Sequence, residues 1–163
     1  MRPLRILFLC THNSARSILS EALLNHHGNG QFIAYSAGSS PRPNQQPNPF
    51  ALQALALAGI PTTGLSSKSW DVFAGADAPA MDAIITVCDN AAGEVCPYWP
   101  GQPATAHWGY QDPSTTQGSD AEKLAAFQAT LQLIQQRIVL LVQSGATPAT
   151  LGTIVQTLSK ETA

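Results

Sequence analysis

The sequence is poor in charged residues, in aromatic residues and in cysteine. Of its 163 residues only 11% are Asp, Glu, Lys or Arg, 7% are aromatic, and three are cysteine. Lysine and arginine form no cluster and the net charge is -2, which argues against the basic surface of a nucleic-acid-binding protein. No apolar run approaches the length that spans a membrane. We therefore expect neither nucleic acid nor a membrane as a partner.

The cysteine count and the start of the chain both indicate a reducing compartment. Three cysteines are an odd set, which argues against a secreted disulfide framework. The apolar run after Arg2 and Arg5 is too short for a signal peptide, and no small-residue cleavage site follows it. We expect a single cytoplasmic domain over residues 1–163 whose thiols remain available for chemistry.

Short apolar runs alternate with helical patterns along the chain. Buried strands are predicted over Leu4–Leu9, Phe32–Ser36, Ala83–Val87 and Ala104–Trp108. Helices are predicted over Arg16–His27, Phe50–Ala58, Asp120–Val142 with Asp120 as the cap, and from Thr147-Pro148 to about Lys160. This order predicts an α/β fold with a small four-stranded parallel sheet flanked by helices on both faces. Residues from about 143 are expected to add a C-terminal helical tail.

The first motif lies between Cys10, at the end of the first predicted strand, and Arg16, at the start of the next helix. A loop in this place can bind an oxyanion through successive backbone N–H groups, and a guanidinium adds a bidentate donor. The same field favours a cysteine thiolate. The alternative is that Cys10 is a small buried apolar residue. The small polar residues around Cys10 favour an oxyanion-binding loop made of Thr11, His12, Asn13, Ser14, Ala15, Arg16 and Ser17.

The second motif is a pair of thiols. Cys88 ends the third predicted strand and should emerge at the same sheet edge as Cys10, and Cys96 follows it after seven residues. One thiolate can attack the sulfur of another and leave a disulfide that a third thiol accepts. The alternative is a metal site that includes His107, but paired zinc ligands usually lie closer together in sequence, and a fourth ligand is missing. We expect no metal and no cofactor.

The third motif is Asp112-Pro113, after His107–Tyr110. A carboxyl group at this position could protonate a leaving oxygen once Cys10 has attacked. The alternative is structural, because Asp-Pro commonly starts a turn.

Together the segments Cys10–Ser17, Thr86–Pro97 and His107–Pro113 resemble the three-cysteine arsenate reductases, which have the fold of the low-molecular-weight protein tyrosine phosphatases. The resemblance runs from about Leu4 to Ile138. It implies that Cys10 attacks arsenate held by the loop and Arg16, that Asp112 donates the proton, and that Ser17 supports the thiolate. It also implies that Cys88 attacks Cys10 and releases arsenite. Cys96 would then attack Cys88, and thioredoxin or a similar dithiol reductant would reduce the resulting disulfide.

The sequence departs from these relatives at two places. Many of them hold a potassium ion with residues matching Asn13, Glu21 and Ser36 and with an aspartate, whose place Lys68 takes here. Either the Lys68 ammonium replaces the ion, or Lys68 is a solvated residue of a surface turn. The Cys88–Cys96 spacing is also one residue longer than in the relatives.

Two other functions use part of the same residues. A low-molecular-weight tyrosine phosphatase needs the loop, the thiolate and the acid, but no second or third thiol. In that family aromatic residues beside the Asp-Pro pair shape the phosphotyrosine slot, whereas Ser114 and Thr115 follow Pro113 here. A non-enzymatic redox or oxyanion sensor would keep the thiols without turnover. The sequence favours arsenate reduction.

Overall fold

The computed structural model describes residues 2–75, 77–87 and 103–160. Within them four parallel strands form one sheet in the order β2-β1-β3-β4. The strands are β1 (Leu4–Cys10), β2 (Phe32–Gly38), β3 (Ala83–Thr86) and β4 (Ala104–His107). All four predicted strands are confirmed, and β2 continues two residues beyond its predicted end at Ser36.

Helices follow the strands in the described part of the chain. They are α1 (Arg16–His27), α2 (Pro49–Leu57), α3 (Asp120–Gln143) and α4 (Leu151–Ser159). The start of α2 follows from its sequence, because the Asn48 side chain accepts a hydrogen bond from the backbone N–H of Phe50 and Pro49 is the first helical residue.

Helix α3 begins at Asp120 as predicted, but its predicted cap and the predicted start of the last helix are wrong. Ser119, not Asp120, caps α3, because the Ser119 hydroxyl accepts from the Glu122 N–H while the Glu122 carboxylate accepts from the Ser119 N–H. This reciprocal pair is a capping box. The last helix begins at Leu151 and not at Thr147, because Thr147 and Thr150 bond to each other in a turn that precedes α4.

The two faces of β1 pack against different elements. Ile6 and Phe8 belong to the main core with apolar residues of all four α-helices. Leu7 and Leu9 belong to a second cluster that includes Phe73 of the 3₁₀ helix Trp70–Phe73. Elements therefore cover both faces of the sheet, as the apolar pattern of β1 predicts.

Helix α3 is the one helix among the described residues that is long and apolar enough to cross a membrane. Its inward side is buried at Phe127, Leu131, Ile134, Ile138 and Leu141. The helix contacts α1, α2 and α4. This packing is that of a core helix in a globular fold.

Helix α4, which lies in the predicted C-terminal tail, packs against strand β4. Trp108 is fully buried just after β4, and its indole N–H donates to the Val155 carbonyl at 2.9 Å. Gln156 donates a second side-chain hydrogen bond to the Thr105 carbonyl at 3.2 Å. Both bonds tie α4 to the strand that leads into the Asp112 loop.

Replacement of Trp108 tests how strongly α4 is held. Trp108→Phe removes the indole donor and leaves a partly filled space, so we expect the free energy of unfolding to fall by roughly 1–3 kcal/mol. Gln156→Ala removes the exposed bond and should change the free energy of unfolding by about 0.5 kcal/mol or less. Urea unfolding of both variants measures these changes. Equal losses of unfolding free energy would contradict the expectation that the buried Trp108 bond is the stronger one.

Candidate active site

Cys10 lies at the carboxyl end of the central strand, where its side chain is 6% exposed. Its register partner on β2 is Gly38, and β3 runs along the other side of β1. Val87 N–H, directly after β3, donates to the Leu9 carbonyl at 2.9 Å. The ends of β1, β2 and β3 therefore meet at Cys10, as expected for a parallel sheet.

The loop after Cys10 turns its carbonyl groups outward. Five of its carbonyls accept hydrogen bonds from residues outside the loop. Cys10 O accepts from Ser39 N, Thr11 O from Ser40 N, Asn13 O from Ser67 Oγ, Ser14 O from Asn48 N, and Ala15 O from Leu19 N. In a trans peptide the N–H points away from the carbonyl. The N–H groups of residues 11, 12, 14, 15 and 16 therefore point to the opposite, inner side of the loop, and such a set binds anions.

Helix α1 begins at this loop without a capping side chain. Its N-cap is Ala15, which has no side-chain oxygen to accept the first N–H groups. Alanine is among the poorer residues at this position, and uncapped N–H groups carry the positive end of the helix dipole. The helix start therefore offers its donors to an external anion.

Asn13 fixes the shape of the loop. It is fully buried and has a positive φ of 56°, a conformation that asparagine tolerates better than most residues. Its amide donates to Ser17 Oγ at 2.8 Å, and its carbonyl oxygen Oδ1 accepts from the Lys68 N–H at 2.9 Å. Because Ser17 Oγ accepts this bond, its own hydroxyl hydrogen remains for another acceptor.

Gly38 allows β2 to approach the loop closely. A Cβ atom at this position would lie 2.6 Å from the Thr11 carbonyl oxygen and 3.0 Å from Asn13 N. Both neighbours are backbone atoms that cannot swing aside. A side chain at residue 38 would therefore displace the loop.

Arg16 is anchored by the segment that contains Asp112. One terminal nitrogen, Nη1, donates to the Tyr110 carbonyl at 2.9 Å, and Nη2 lies 3.4 Å from Asp112 Oδ2. Its Nε is buried and has no hydrogen-bond partner among the described residues. Asp112 also caps the 3₁₀ helix Pro113–Thr115 through Oδ1, so the turn-forming interpretation is confirmed, while its role as a proton donor stays a prediction.

A cleft of about 510 Å³ opens beside the loop. Its polar lining includes His12, Ser14, Arg42, Asn48 and Ser114. Among the described residues no Phe, Tyr or Trp lines it. The described part of the lining thus offers no aromatic wall for a phenyl ring.

Beneath the loop a half-buried carboxylate and an ammonium are linked through Ser36. Ser36 Oγ donates to Glu21, while the Lys68 ammonium donates to the Ser36 carbonyl at 3.0 Å and to the Ser66 carbonyl at 2.6 Å. Burial raises the pKa of Glu21 above its usual value, and burial lowers the pKa of Lys68 while Glu21 opposes that shift.

Of the two interpretations of Lys68, these bonds favour an ammonium that takes the place of the ion over a side chain that is only solvated. Its ammonium and backbone bring together the three residues that would ligate potassium, since Lys68 contacts Asn13 and Ser36, and Ser36 contacts Glu21. A potassium ion does not fit beside this ammonium, because like charges repel.

The structure brings Arg16 and Asp112 together at the helix start that follows the Cys10 loop, and the catalytic roles of Cys10, Arg16 and Asp112 stay predictions. Cys88 and Cys96 lie outside the described residues, so their part in the site remains a prediction. His107 Nδ1 bonds to Thr86 Oγ1 at 2.7 Å, and no group of three His, Cys, Asp or Glu within the described ranges could hold a metal.

Sequence reasoning missed Gly38 and Ser67. A glycine two residues past the predicted end of the strand beside Cys10 could have signalled the first.

Comparison with known proteins agrees with this geometry. Residues 5–153 match the family described as low molecular weight phosphotyrosine protein phosphatase. The arsenate reductase of Bacillus licheniformis is 34% identical over 140 residues, which cover 86% of this chain and 96% of that protein. An arsenate reductase solved in its phosphate-binding state superposes with a TM-score of 0.68 at 24% identity and covers 88% of this chain and 99% of that one.

A third similar structure is a thioredoxin-dependent arsenate reductase from Corynebacterium glutamicum, with a TM-score of 0.55 and 24% identity. That match covers 85% of this chain and 63% of the other. The chain belongs to the low-molecular-weight phosphotyrosine protein phosphatase family, and its fold is the one shared by these arsenate reductases.

Gly38→Ala tests the close approach of β2 to the loop. The added methyl group collides with the loop backbone, so we expect phosphate binding to weaken by about tenfold or more. Gly75→Ala is the matched control, because a Cβ atom there meets nothing within 4 Å. Isothermal titration with phosphate compares them, and unchanged binding by a folded Gly38→Ala would show that the loop tolerates the side chain.

Glu21→Gln tests the buried carboxylate. Because folding raises the pKa of Glu21, the folded wild type binds a proton more readily than the unfolded chain, and its stability from this group falls as pH rises above about 4.5. Lowering the pH from 7 should therefore stabilise the wild type relative to Glu21→Gln. Melting temperatures of both proteins at several pH values provide the measurement. Parallel curves would contradict the raised pKa.

Lys68 predicts how the protein responds to monovalent cations. With an ammonium already beside Ser36, exchanging potassium for sodium at constant ionic strength should leave activity and melting temperature nearly unchanged. Lys68→Asp should lower activity in sodium and recover it in potassium. A marked potassium-specific gain in the wild type would show that Lys68 does not replace the ion.

Proposed function

We propose that this protein is a cytoplasmic arsenate reductase that uses a Cys10 thiolate and a Cys10–Cys88–Cys96 disulfide relay. The observation that carries the proposal is the loop after Cys10: an inward set of N–H groups, an uncapped helix start and a buried Arg16 Nε without a hydrogen-bond partner among the described residues all lie in the segment that follows this thiol. Such a site binds a tetrahedral oxyanion next to a nucleophile. The 34% identical arsenate reductase supports arsenate as that oxyanion.

The first step forms a bond between Cys10 Sγ and arsenic. The loop N–H groups and Arg16 hold the arsenate oxygens, and one oxygen leaves as water after it takes a proton from Asp112. Asp112 Oδ2 lies beside Arg16 and is the oxygen not used in capping the 3₁₀ helix. Ser17, whose hydroxyl hydrogen is not committed to Asn13, supports the thiolate.

The second step transfers two electrons to arsenic. The Cys88 thiolate attacks Cys10 Sγ, the sulfur–arsenic bond breaks, and its electron pair reduces As(V) to As(III), which leaves as arsenite. The bond from Val87 to Leu9 supports this order, because it ties the residue before Cys88 to the residue before Cys10. Cys96 then attacks Cys88, which frees Cys10 and leaves a Cys88–Cys96 disulfide.

A dithiol reductant must reduce that disulfide to close the cycle. We propose thioredoxin, as in the structurally similar thioredoxin-dependent enzyme from Corynebacterium glutamicum. Residual hydrolysis of phosphate esters is a second candidate activity, because the family is one of phosphatases and the loop needs no further thiol for it. The polar lining of the cleft argues against a phosphotyrosine ring as the preferred substrate.

Arsenite production with thioredoxin, thioredoxin reductase and NADPH tests the proposal beside hydrolysis of an aryl phosphate. Steady turnover is expected, whereas a non-enzymatic sensor would give none. Cys10→Ser should abolish both activities, because the alcohol stays protonated near neutral pH. Substantial turnover by that variant would remove Cys10 from the mechanism.

The roles of Cys88 and Cys96 can be distinguished by the products that their serine variants form. Cys88→Ser should still hydrolyse an aryl phosphate slowly but make no arsenite, and Cys96→Ser should complete about one turnover and stop as a Cys10–Cys88 disulfide. Mass spectrometry after one equivalent of arsenate identifies the bonds. A Cys10–Cys96 bond in the wild type, or repeated turnover by Cys96→Ser, would refute this order.

A further inference from the structure

A buried arginine on α3 packs behind the segment that holds Arg16. Arg137 is 6% exposed, and its guanidinium carbon lies 5.0 Å from the centre of the Tyr110 ring. Burying a guanidinium costs desolvation energy. A guanidinium is flat and charged, so it stacks on an aromatic face better than a lysine ammonium does.

The Tyr110 side chain is a rigid and neutral support. It is 8% exposed. Burial raises the pKa of its hydroxyl to about 12, against the lowering effect of the Arg137 charge, so the ring stays uncharged at any physiological pH. The backbone carbonyl of the same residue accepts the 2.9 Å bond from Arg16 Nη1. The position of the ring therefore determines where this carbonyl lies.

Arg16 depends on that carbonyl for its orientation. Its two terminal nitrogens are held by Tyr110 O and by Asp112, two residues further along the same segment. Helix α3 also contacts the 3₁₀ helix Pro113–Thr115 that Asp112 caps. A shift of the segment would therefore change the orientation of the Arg16 guanidinium plane.

We propose that Arg137 is a positioning residue for oxyanion binding: it clamps the Tyr110 ring and thereby fixes the carbonyl that orients Arg16. This role rests on the oxyanion site of the proposed function, though not on arsenate reduction itself. The contact chain runs from α3 through Tyr110 to the first residue of α1.

A double-mutant cycle with inorganic phosphate as the probe tests this role. Arg137→Met should weaken phosphate binding about tenfold, the effect of misdirecting one charged hydrogen bond. In an Arg16→Lys background the same change should alter binding by about twofold or less, because an ammonium has no plane to orient. A purely structural Arg137 would cost the same factor in both backgrounds.

Further variants separate the ring contact from general destabilisation. Tyr110→Leu removes the ring and should match Arg137→Met, while Tyr110→Phe keeps the ring and should retain more binding. Arg137→Lys keeps the charge without the plane and should fall between Arg137→Met and the wild type. Ile138→Val, at the neighbouring fully buried position of α3, controls for loss of core packing and should bind phosphate as the wild type does.

Each outcome decides the role of Arg137. A folded Arg137→Met with wild-type affinity, or equal losses in the two Arg16 backgrounds, overturns it. If Arg137→Met lacks a cooperative unfolding transition, Tyr110→Leu completes the cycle with the same expectation and Arg137→Lys with a smaller loss in the Arg16 background only. If the wild type binds phosphate but produces no arsenite, the proposed reduction fails while this role stands.

Discussion

The outward turn of the loop carbonyls is the constraint on which the rest of the site depends. Several of these carbonyls are held by groups from distant parts of the chain, including Ser40 after β2, Asn48 at the start of α2 and Ser67 before the 3₁₀ helix. The anion-facing N–H groups are thus fixed before any ligand arrives, and preorganised donors lose little free energy to reorganisation when charge develops on a substrate. The fold around the sheet edge supplies these anchors.

Most of the architecture could be predicted from the sequence because its signals are local. The continuous apolar run at Leu4–Leu9, the Asn48-Pro49 helix start and the Cys10–Arg16 spacing each depend on neighbouring residues. Ser119 and Asp120 are adjacent and both suit a helix cap, so propensity alone chose the wrong one. Only the geometry of the Glu122 bond decides between them.

The unpredicted parts of the site are long-range contacts. Ser67 reaches Asn13 across 54 positions, and Tyr110 reaches Arg16 across 94. No periodicity or spacing in one sequence reports such pairs. Lys68 could be predicted in part. The resemblance shows that it takes the place of an aspartate that helps to bind potassium, but only the structure shows its bond to the Ser36 carbonyl.

Helix α4 has a consequence for association between copies of the chain. Strand β4 ends the described sheet on one side, and an edge strand presents backbone groups that can pair with another molecule. The Gln156 side chain fills one such acceptor, at Thr105, and α4 packs along the same strand. A chain that lost this helix would bare the edge and the buried face of Trp108 together, so the helix also protects the molecule from edge-to-edge aggregation.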